Sequence, residues 1–152
     1  MSVEHTTLLN GRVKLLQPSF GLRASTDSVL LSAVLQAKSG EHVLDMGCGT
    51  GAVGLCAIER LKDLNLTLTG IDIQDDLIAV ARKNASHYDF MAGDVTDKTQ
   101  FDAETFDHIL MNPPYFEDGA KQPSEDESRD IAFRTDNFEA WIASALHWVK
   151  QG

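Results

Sequence analysis

Three alternating glycines between a short apolar run and a helical pattern constrain the fold of this chain more than any other feature. Gly47, Gly49 and Gly51 follow an apolar run at residues 42–45, and a helical pattern covers residues 52–61. Glycines at such positions lower stability, so they need a reason, such as close approach of a ligand to the free N–H groups at a helix start. The pattern predicts the first part of a βαβ unit with a ligand at its turn.

The β and α patterns continue to alternate after this unit. We predict further strands over residues 66–71, 88–92 and 106–111, and a helix over residues 75–84. Alternation of this kind is typical of a doubly wound, mostly parallel α/β sheet, in which ligands bind outside the carboxyl ends of the strands.

The first part of the chain shows a different pattern. An Asn-Gly pair at residues 10–11 lies between two apolar runs and predicts a β-hairpin that ends at Pro18. A helix over residues 28–38 follows, with Asp27 as its expected N-cap. We therefore expect one domain, in which a hairpin and helix over residues 1–40 pack on a core formed by residues 41–152.

Composition excludes several classes of protein. The chain has 152 residues, of which 43% are hydrophobic, and this fits one globular domain with a sizeable core. Its formal net charge of -10 repels a polyanion, so we expect that binding to nucleic acid uses a local basic patch or a part of the protein outside this sequence. The sequence shows no secretory signal and no apolar run near the roughly 20 residues that a membrane helix needs. We expect a cytoplasmic protein.

Acidic residues end three of the predicted strands. The glycines also match the dinucleotide fingerprint, with Asp72 close to the expected spacing of roughly 20 residues, so the pattern alone fits NAD as well as another adenosine ligand. Asp45, beside the glycine loop, would repel a pyrophosphate but would stabilise the sulfonium and ammonium of S-adenosylmethionine. We expect Asp72 to accept hydrogen bonds from the ribose, and Asp94 with Val95 to bind the adenine, although Asp94 as a simple turn cap is an alternative.

The last predicted strand runs directly into Asn112, Pro113, Pro114 and Tyr115. Two consecutive prolines fix φ and remove two N–H donors, so the chain must leave the sheet there in one defined direction. The asparagine amide and the tyrosine ring are thereby presented at the carboxyl end of the strand, where ligands of such sheets bind.

These motifs together resemble a known family. The order Asp-x-Gly-x-Gly-x-Gly from Asp45, then Asp72, Gly93-Asp94 and Asn112-Pro-Pro-Tyr, is similar to that of class I S-adenosylmethionine-dependent methyltransferases that methylate amino groups. The amino-terminal motifs resemble more narrowly the bacterial adenine-N6 methyltransferases that act on valine tRNA; they are Gly11-Arg12-Val13, Gln17-Pro18, and Arg23 with Thr26-Asp27. The resemblance covers nearly the whole chain.

The resemblance implies a cofactor, a partner and a set of site residues. The cofactor would be S-adenosylmethionine, with S-adenosylhomocysteine as product, and the partner would be a structured RNA, tRNA foremost. The implied catalytic residues are Asn112, Pro113, Pro114 and Tyr115. The implied cofactor-binding residues are Arg23, Thr26, Asp45, Gly47, Gly49, Gly51, Asp72, Ile73, Asp94, Val95 and Asn112. For Thr26 a helix-capping role is an equal alternative, and no metal is expected.

One departure from the family concerns the end of the sheet. The family's sheet has seven strands, and the fifth to seventh would follow Gly152, so we expect a fragment whose fourth core strand has an unpaired edge. Such an edge invites a dimer or a complementing chain. The polar segment over residues 116–130 is expected to form a mobile loop or lid.

Two alternative functions stay open at this point. Motifs similar to Asn112-Pro-Pro-Tyr also occur in enzymes that methylate a protein glutamine at N5, and the acidic charge favours that substrate somewhat. The second alternative is a non-catalytic adenosine-binding subunit or a truncated remnant.

Overall fold

A parallel sheet and an amino-terminal hairpin organise the structure, a computed structural model that describes residues 1–20, 23–113 and 138–151. In chain order the elements are β1 (Val3–Leu8), β2 (Val13–Pro18), α1 (Thr26–Val34), β3 (His42–Met46), α2 (Ala52–Arg60), β4 (Thr67–Asp72), α3 (Asp75–Asn84), β5 (Asp89–Ala92), β6 (His108–Met111) and α4 (Phe138–Trp148). Short 3₁₀ helices occur at Lys62–Leu64 and Lys98–Gln100.

The core sheet has the order β5-β4-β3-β6, and all of its strand pairs are parallel. Met46 of β3 pairs with Ile71 of β4 and with Met111 of β6, and Asp72 pairs with Ala92 of β5. The four strands therefore end close to one line, and the loops that follow them lie side by side at one edge of the sheet. This confirms the predicted parallel α/β architecture.

Helices cover both faces of this sheet. On one face, α2 and α3 contribute Val53, Ala57, Ile78 and Ala81 to a cluster with Val43, Leu68 and Leu110 of the strands. On the other face, α4 contributes Trp141, Ala145 and Trp148 to a cluster with Leu44, Met46 and Ile71. The strands are therefore covered on both faces, as expected for a parallel sheet, and five of the six residues of β4 are buried.

The predicted hairpin is present, since β1 and β2 pair antiparallel. Val13 and Leu15 of β2 pack against Ala52 and Cys56 of α2. Asn84 at the end of α3 adds a polar connection: its Oδ1 accepts a hydrogen bond from the Leu16 N–H at 2.7 Å, and its Nδ2 donates to the Leu16 and Thr50 carbonyls at 2.9 Å each. The hairpin is thus tied to the glycine loop as well as to the helices.

The expected N-cap of α1 was wrong. The cap is Ser25, whose Oγ accepts a hydrogen bond from the Asp27 N–H at 3.2 Å, while the Ser28 Oγ accepts from the Ser25 N–H at 3.4 Å. This reciprocal pair satisfies two N–H groups at the helix start, so it outcompetes a cap at Asp27. The helix also ends at Val34 rather than at residue 38.

Among the described residues, β6 is the edge strand of the core sheet, as expected, but one backbone contact forms just before it begins. Just before β6 begins, Phe106 N–H donates to the Trp148 carbonyl at 3.0 Å and the Lys150 N–H donates to the Phe106 carbonyl at 2.8 Å. Phe106 and Val149 form a parallel bridge, so the segment after α4 pairs with the chain at this point. The dimer or complementing chain stays a prediction.

Some predictions fall on residues that the structure does not describe. Pro114, Tyr115 and the segment over residues 116–130 lie outside the described residues.

Among the helices that are described, none has the length and apolar character needed to cross a membrane. The division into residues 1–40 and 41–152 stays a prediction.

Candidate active site

A cleft of about 340 Å³ lies at the carboxyl edge of the sheet, and its size suits a small organic ligand. From the carboxyl end of β4 and the loops after β3 and β4, the predicted site residues that line it are Gly47, Gly49, Asp72 and Ile73. From the other elements, they are Arg23, Asp94, Val95, Asn112 and Pro113. The fold therefore brings most of the predicted site residues to one cleft, although they are spread over most of the chain.

Asp72, the last residue of β4, is the best-defined acidic group of the cleft. Its Oδ2 accepts a hydrogen bond from the Gly49 N–H at 2.8 Å, and its Oδ1 accepts from the Gln74 N–H at 2.9 Å. Burial raises the pKa of Asp72, and these two hydrogen bonds oppose that rise. Each carboxylate oxygen has a further lone pair, so Asp72 is equipped to accept two hydroxyl donors from a ligand.

The glycine loop packs tightly against α4. Gly47 has a φ of +73°, and a β-carbon built on it would lie 2.6 Å from Cη2 of Trp141. The N–H groups of Gly47 and Cys48 both donate to the Ile71 carbonyl, at 2.8 and 3.0 Å. The loop is therefore held between β4 and α4, and only glycine fits at position 47 without a shift of the tryptophan ring.

Asp45 has a different position from the one the sequence predicted. Its side chain is buried beneath the glycine loop, does not line the cleft, and its Oδ2 accepts a hydrogen bond from the Gly54 N–H of α2 at 2.8 Å. Burial raises the pKa of Asp45 to about 7, and the charge of Asp72 acts in the same direction. Asp45 thus joins β3 to the first turns of α2.

Asp94 caps a turn and also lies at the cleft, whereas its contact with adenine stays a prediction. It lines the cleft, and its Oδ1 accepts hydrogen bonds from the Thr96 N–H at 2.8 Å and from the Thr96 hydroxyl at 2.7 Å. The carboxylate therefore caps the turn after β5 and is held in one orientation at the cleft. Val95, which is buried, provides an apolar surface next to it.

The amino-terminal segment closes one side of the cleft. Arg23 lines it and forms an ion pair with Glu4 of β1. The Gln17 Oε1 of β2 accepts a hydrogen bond from the Ala24 N–H at 3.2 Å, so the hairpin positions this wall. Thr26 is exposed and does not line the cleft. Gly51 is the N-cap of α2 and also lies outside the lining.

Several lining residues were missed by sequence reasoning. Ser25 and Ser28 at the start of α1, Gln74 after β4, and Trp141 of α4 all line the cleft. The serines carried the signal of a capping box, and Gln74 lies two residues beyond an acidic strand end. Trp141 has the helical spacing of a core residue, so its position in the cleft wall could not be read from the pattern.

Cys48 also lines the cleft, next to the first glycine of the loop. A thiol at a helix start can have a low pKa, but burial raises the pKa of Cys48 well above its ordinary value. The neighbouring Asp45 carboxyl acts in the same direction. The thiol is therefore protonated near neutral pH and unsuited to act as a nucleophile.

Curated relatives share most of this chain. A protein from Haemophilus influenzae (strain PittGG) is 31% identical over 86% of this chain and 59% of its own length. One from Phocaeicola vulgatus is 36% identical over 82% of this chain and 53% of its own length, and one from Vibrio parahaemolyticus is 34% identical over 77% and 49%. All three are named tRNA1(Val) (adenine(37)-N6)-methyltransferase. The chain spans about half the length of these relatives.

Solved structures agree on the fold. TrmN from Thermus thermophilus superposes with a TM-score of 0.58 at 22% identity, covering 82% of this chain and 35% of that one. YcgJ from Bacillus subtilis superposes with a TM-score of 0.57 at 19% identity, covering 84% of this chain and 47% of that one.

A family model described as methyltransferase small domain matches residues 23–127, which include the whole glycine loop and the residues after β6. The chain belongs to the methyltransferase small domain family.

Proposed function

We propose that this chain is an S-adenosylmethionine-dependent methyltransferase that methylates N6 of an adenine in tRNA. The observation that carries the proposal is the common cleft of Asp72, Asp94 and the pair Asn112–Pro113, which come from three different strand ends. The names of the relatives support the substrate and suggest adenine 37 of a valine tRNA as the first to test.

The lining residues fit S-adenosylmethionine. The Asp72 carboxylate can accept hydrogen bonds from two ribose hydroxyls, and Asp94 with Val95 offers an acceptor and an apolar surface to the adenine. Asp94 and Val95 follow β5, and Asp72 ends β4. Gly47 follows β3 and Asn112 follows β6, which lie on the other side of the strand order β5-β4-β3-β6. The methionyl end of the cofactor would therefore lie near Gly47 and Asn112.

When bound, S-adenosylmethionine supplies an electrophilic methyl group on a sulfonium sulfur. The chain's contribution is to orient the target amine. The Asn112 side-chain carbonyl and the Pro113 backbone carbonyl would each accept a hydrogen bond from the NH₂ group, which directs the nitrogen lone pair toward the methyl group. Proline fixes φ in this segment, so little reorganisation is needed. In the same proposal, Tyr115 stacks on the target base and Pro114 stiffens the turn.

The acidic character of the chain bears on how tRNA would bind. A net charge of -10 opposes long-range attraction of a polyanion, so we expect a modest tRNA affinity that depends on local contacts. A tRNA substrate favours a cytoplasmic location, which is part of the proposal. The dimer or complementing chain at the β6 edge has no support among the relatives and is not part of it.

Methyl transfer is the direct test. Purified protein is incubated with labelled S-adenosylmethionine and an unmodified valine tRNA transcript, and the digested RNA is analysed for N6-methyladenosine. Asn112→Ala should lower the rate by roughly a hundredfold or more, because a positioned acceptor is lost at the reacting group. Asn112→Asp retains an acceptor oxygen and should retain more activity than Asn112→Ala.

Different failures contradict different parts of the proposal. Label in a protein glutamine, with none in any RNA, would contradict the substrate. Calorimetric binding of S-adenosylhomocysteine without transfer to any substrate would contradict catalysis and favour a binding subunit. Failure of the protein to bind S-adenosylmethionine at millimolar concentration would contradict the cofactor.

A further inference from the structure

Asn84, the last residue of α3, joins two segments that form the cleft, although it does not line the cleft itself and the proposed function gives it no role. Its Oδ1 accepts a hydrogen bond from the Leu16 N–H at 2.7 Å, and its Nδ2 donates to the Leu16 and Thr50 carbonyls at 2.9 Å each. A side-chain amide has two N–H donors, so both of them hold main-chain carbonyls here.

Both of the segments that Asn84 holds lead directly to the cleft. Thr50 belongs to the glycine loop and lines the cleft. Leu16 is followed in β2 by the buried Gln17, whose Oε1 accepts a hydrogen bond from the Ala24 N–H at 3.2 Å. Ala24 lines the cleft within the amino-terminal wall, which residues 23–25 form. One amide group therefore holds the glycine loop directly and the amino-terminal wall through one intervening residue.

The contacts around Asn84 differ in how strictly they fix the two walls. Val13 and Leu15 of β2 pack on Ala52 and Cys56 of α2, and such apolar packing is non-directional. The hydrogen bonds of Asn84 depend on distance and angle. They therefore fix where β2 lies along the glycine loop, which the apolar packing alone leaves less well defined.

This inference rests on the function proposed above, in which S-adenosylmethionine occupies the cleft between the two walls. We propose that Asn84 is a positioning residue for the cofactor, because it keeps the glycine loop and the amino-terminal wall at the separation at which both contact it. If the walls can shift, only a fraction of the molecules is ready to bind, and the apparent dissociation constant rises by the inverse of that fraction. Once the cofactor is bound, the walls are in place, so the transfer step itself is not slowed.

Calorimetry and kinetics on four proteins test this role. The dissociation constant of S-adenosylmethionine, and its KM and kcat with an unmodified valine tRNA transcript, are measured for wild type, Asn84→Ala, Gln17→Met and Leu66→Ala. Asn84→Ala should raise the dissociation constant and the KM of the cofactor roughly fivefold to fiftyfold, with kcat at saturating cofactor changed by less than about twofold. Gln17→Met keeps the side-chain volume but removes the acceptor for the Ala24 N–H, so it should act in the same direction by a smaller factor.

Leu66→Ala separates positioning from a loss of stability. Leu66 is a buried core residue just before β4, at the opposite edge of the sheet from the cleft, so its truncation destabilises the fold without touching either wall. It should leave the dissociation constant of the cofactor unchanged. A rise for Leu66→Ala as large as that for Asn84→Ala would reduce Asn84 to a structural residue and overturn the proposal.

The other outcomes separate this inference from the proposed function. Unchanged cofactor affinity in Asn84→Ala, or a lower kcat with an unchanged KM, would overturn the role of Asn84 while leaving the cofactor assignment intact. Failure of the wild-type chain to bind S-adenosylmethionine would overturn both proposals at once.

A measurement on the wild-type chain needs no variant to fold. If the hydrogen bonds of Asn84 favour cofactor binding, bound cofactor must favour those hydrogen bonds to the same extent. Hydrogen exchange of the Leu16 N–H, which donates to Asn84 Oδ1, should therefore slow roughly tenfold or more when S-adenosylhomocysteine saturates the cleft. A Leu16 exchange rate that does not respond to the bound compound would contradict the proposal.

Discussion

Replacing Asp45 with asparagine should remove a pH dependence from the stability of the protein. Burial raises the pKa of Asp45 from an ordinary value of 3.8 to about 7. Between these values the folded state holds a proton that the unfolded state has released, so unfolding releases a proton. The stabilising contribution is therefore fully present below the unfolded pKa and is lost as the pH rises through the folded pKa. The asparagine side chain would not titrate, although its amide oxygen could still accept from the Gly54 N–H.

The magnitude follows from the size of the pKa shift. One pKa unit corresponds to about 1.4 kcal/mol, so a shift from 3.8 to about 7 would cost about 4 kcal/mol at high pH. Part of this stability is already lost at pH 5, because that pH lies above the ordinary pKa of 3.8. Between pH 5 and pH 8, the stability of wild type relative to Asp45→Asn should fall by about 2 to 3 kcal/mol. Asp72 also has a raised pKa, but it titrates in both proteins, so its contribution is shared.

Urea unfolding at several pH values measures this difference. The free energy of unfolding of each protein is determined at pH 5, 6, 7 and 8 from the midpoint and slope of the transition. Asp97→Asn is a control, because hydrogen bonds from Thr99 and Gln100 lower the pKa of Asp97 and both its folded and unfolded values lie below this pH range. Its difference from wild type should be flat. A flat difference for Asp45→Asn as well would refute the reasoning.

Two further predictions concern packing around the cleft. Gly47→Ala should destabilise the protein by about 1 to 3 kcal/mol more than Gly49→Ala. Both positions have positive φ, but only a β-carbon at Gly47 would meet the Trp141 ring. Urea unfolding midpoints of the two variants test this, and equal destabilisation would count against it. Asn84→Ala should cost about 2 to 3 kcal/mol, since it removes three hydrogen bonds to β2 and the glycine loop. The exposed neighbour Lys83→Ala should change the unfolding free energy by less than about 0.5 kcal/mol, and a similar effect at both positions would contradict the role of Asn84.

The strands and helices of the core could be predicted because their signals are local. Apolar runs bounded by glycine and acidic residues marked β3 and β4, and the bounds of each predicted strand lie within one or two residues of the observed bounds.

The error at the N-cap of α1 arose because two local signals compete. Ser25 and Asp27 are both good capping residues, and the choice depended on Ser28, whose hydroxyl completes the capping box.

Side-chain positions at the site could not be predicted in the same way. Asp45 and Asp72 both end predicted strands beside the glycine loop, yet one lies under the loop against α2 and the other lines the cleft. The difference follows from the register between β3 and β4. Asp45 pairs with Gly70, so Asp72 lies two residues further toward the carboxyl edge of the sheet. Trp141 reaches the cleft through the packing of a helix that is distant from the glycine loop in the chain, and no local pattern carries that information.

The buried carboxyls beneath and beside the glycine loop connect stability to cofactor binding. Asp45 stays buried although its burial costs stability near neutral pH, and the charge of Asp72 adds to that cost. Natural proteins depart from well-satisfied packing mainly at functional sites. In the proposed complex, the cofactor's hydroxyls would hydrogen-bond the Asp72 carboxylate, and its positive sulfonium would lie in the same cleft. Both interactions favour ionised Asp72, so a buried carboxylate that weakens the free protein would strengthen the bound one.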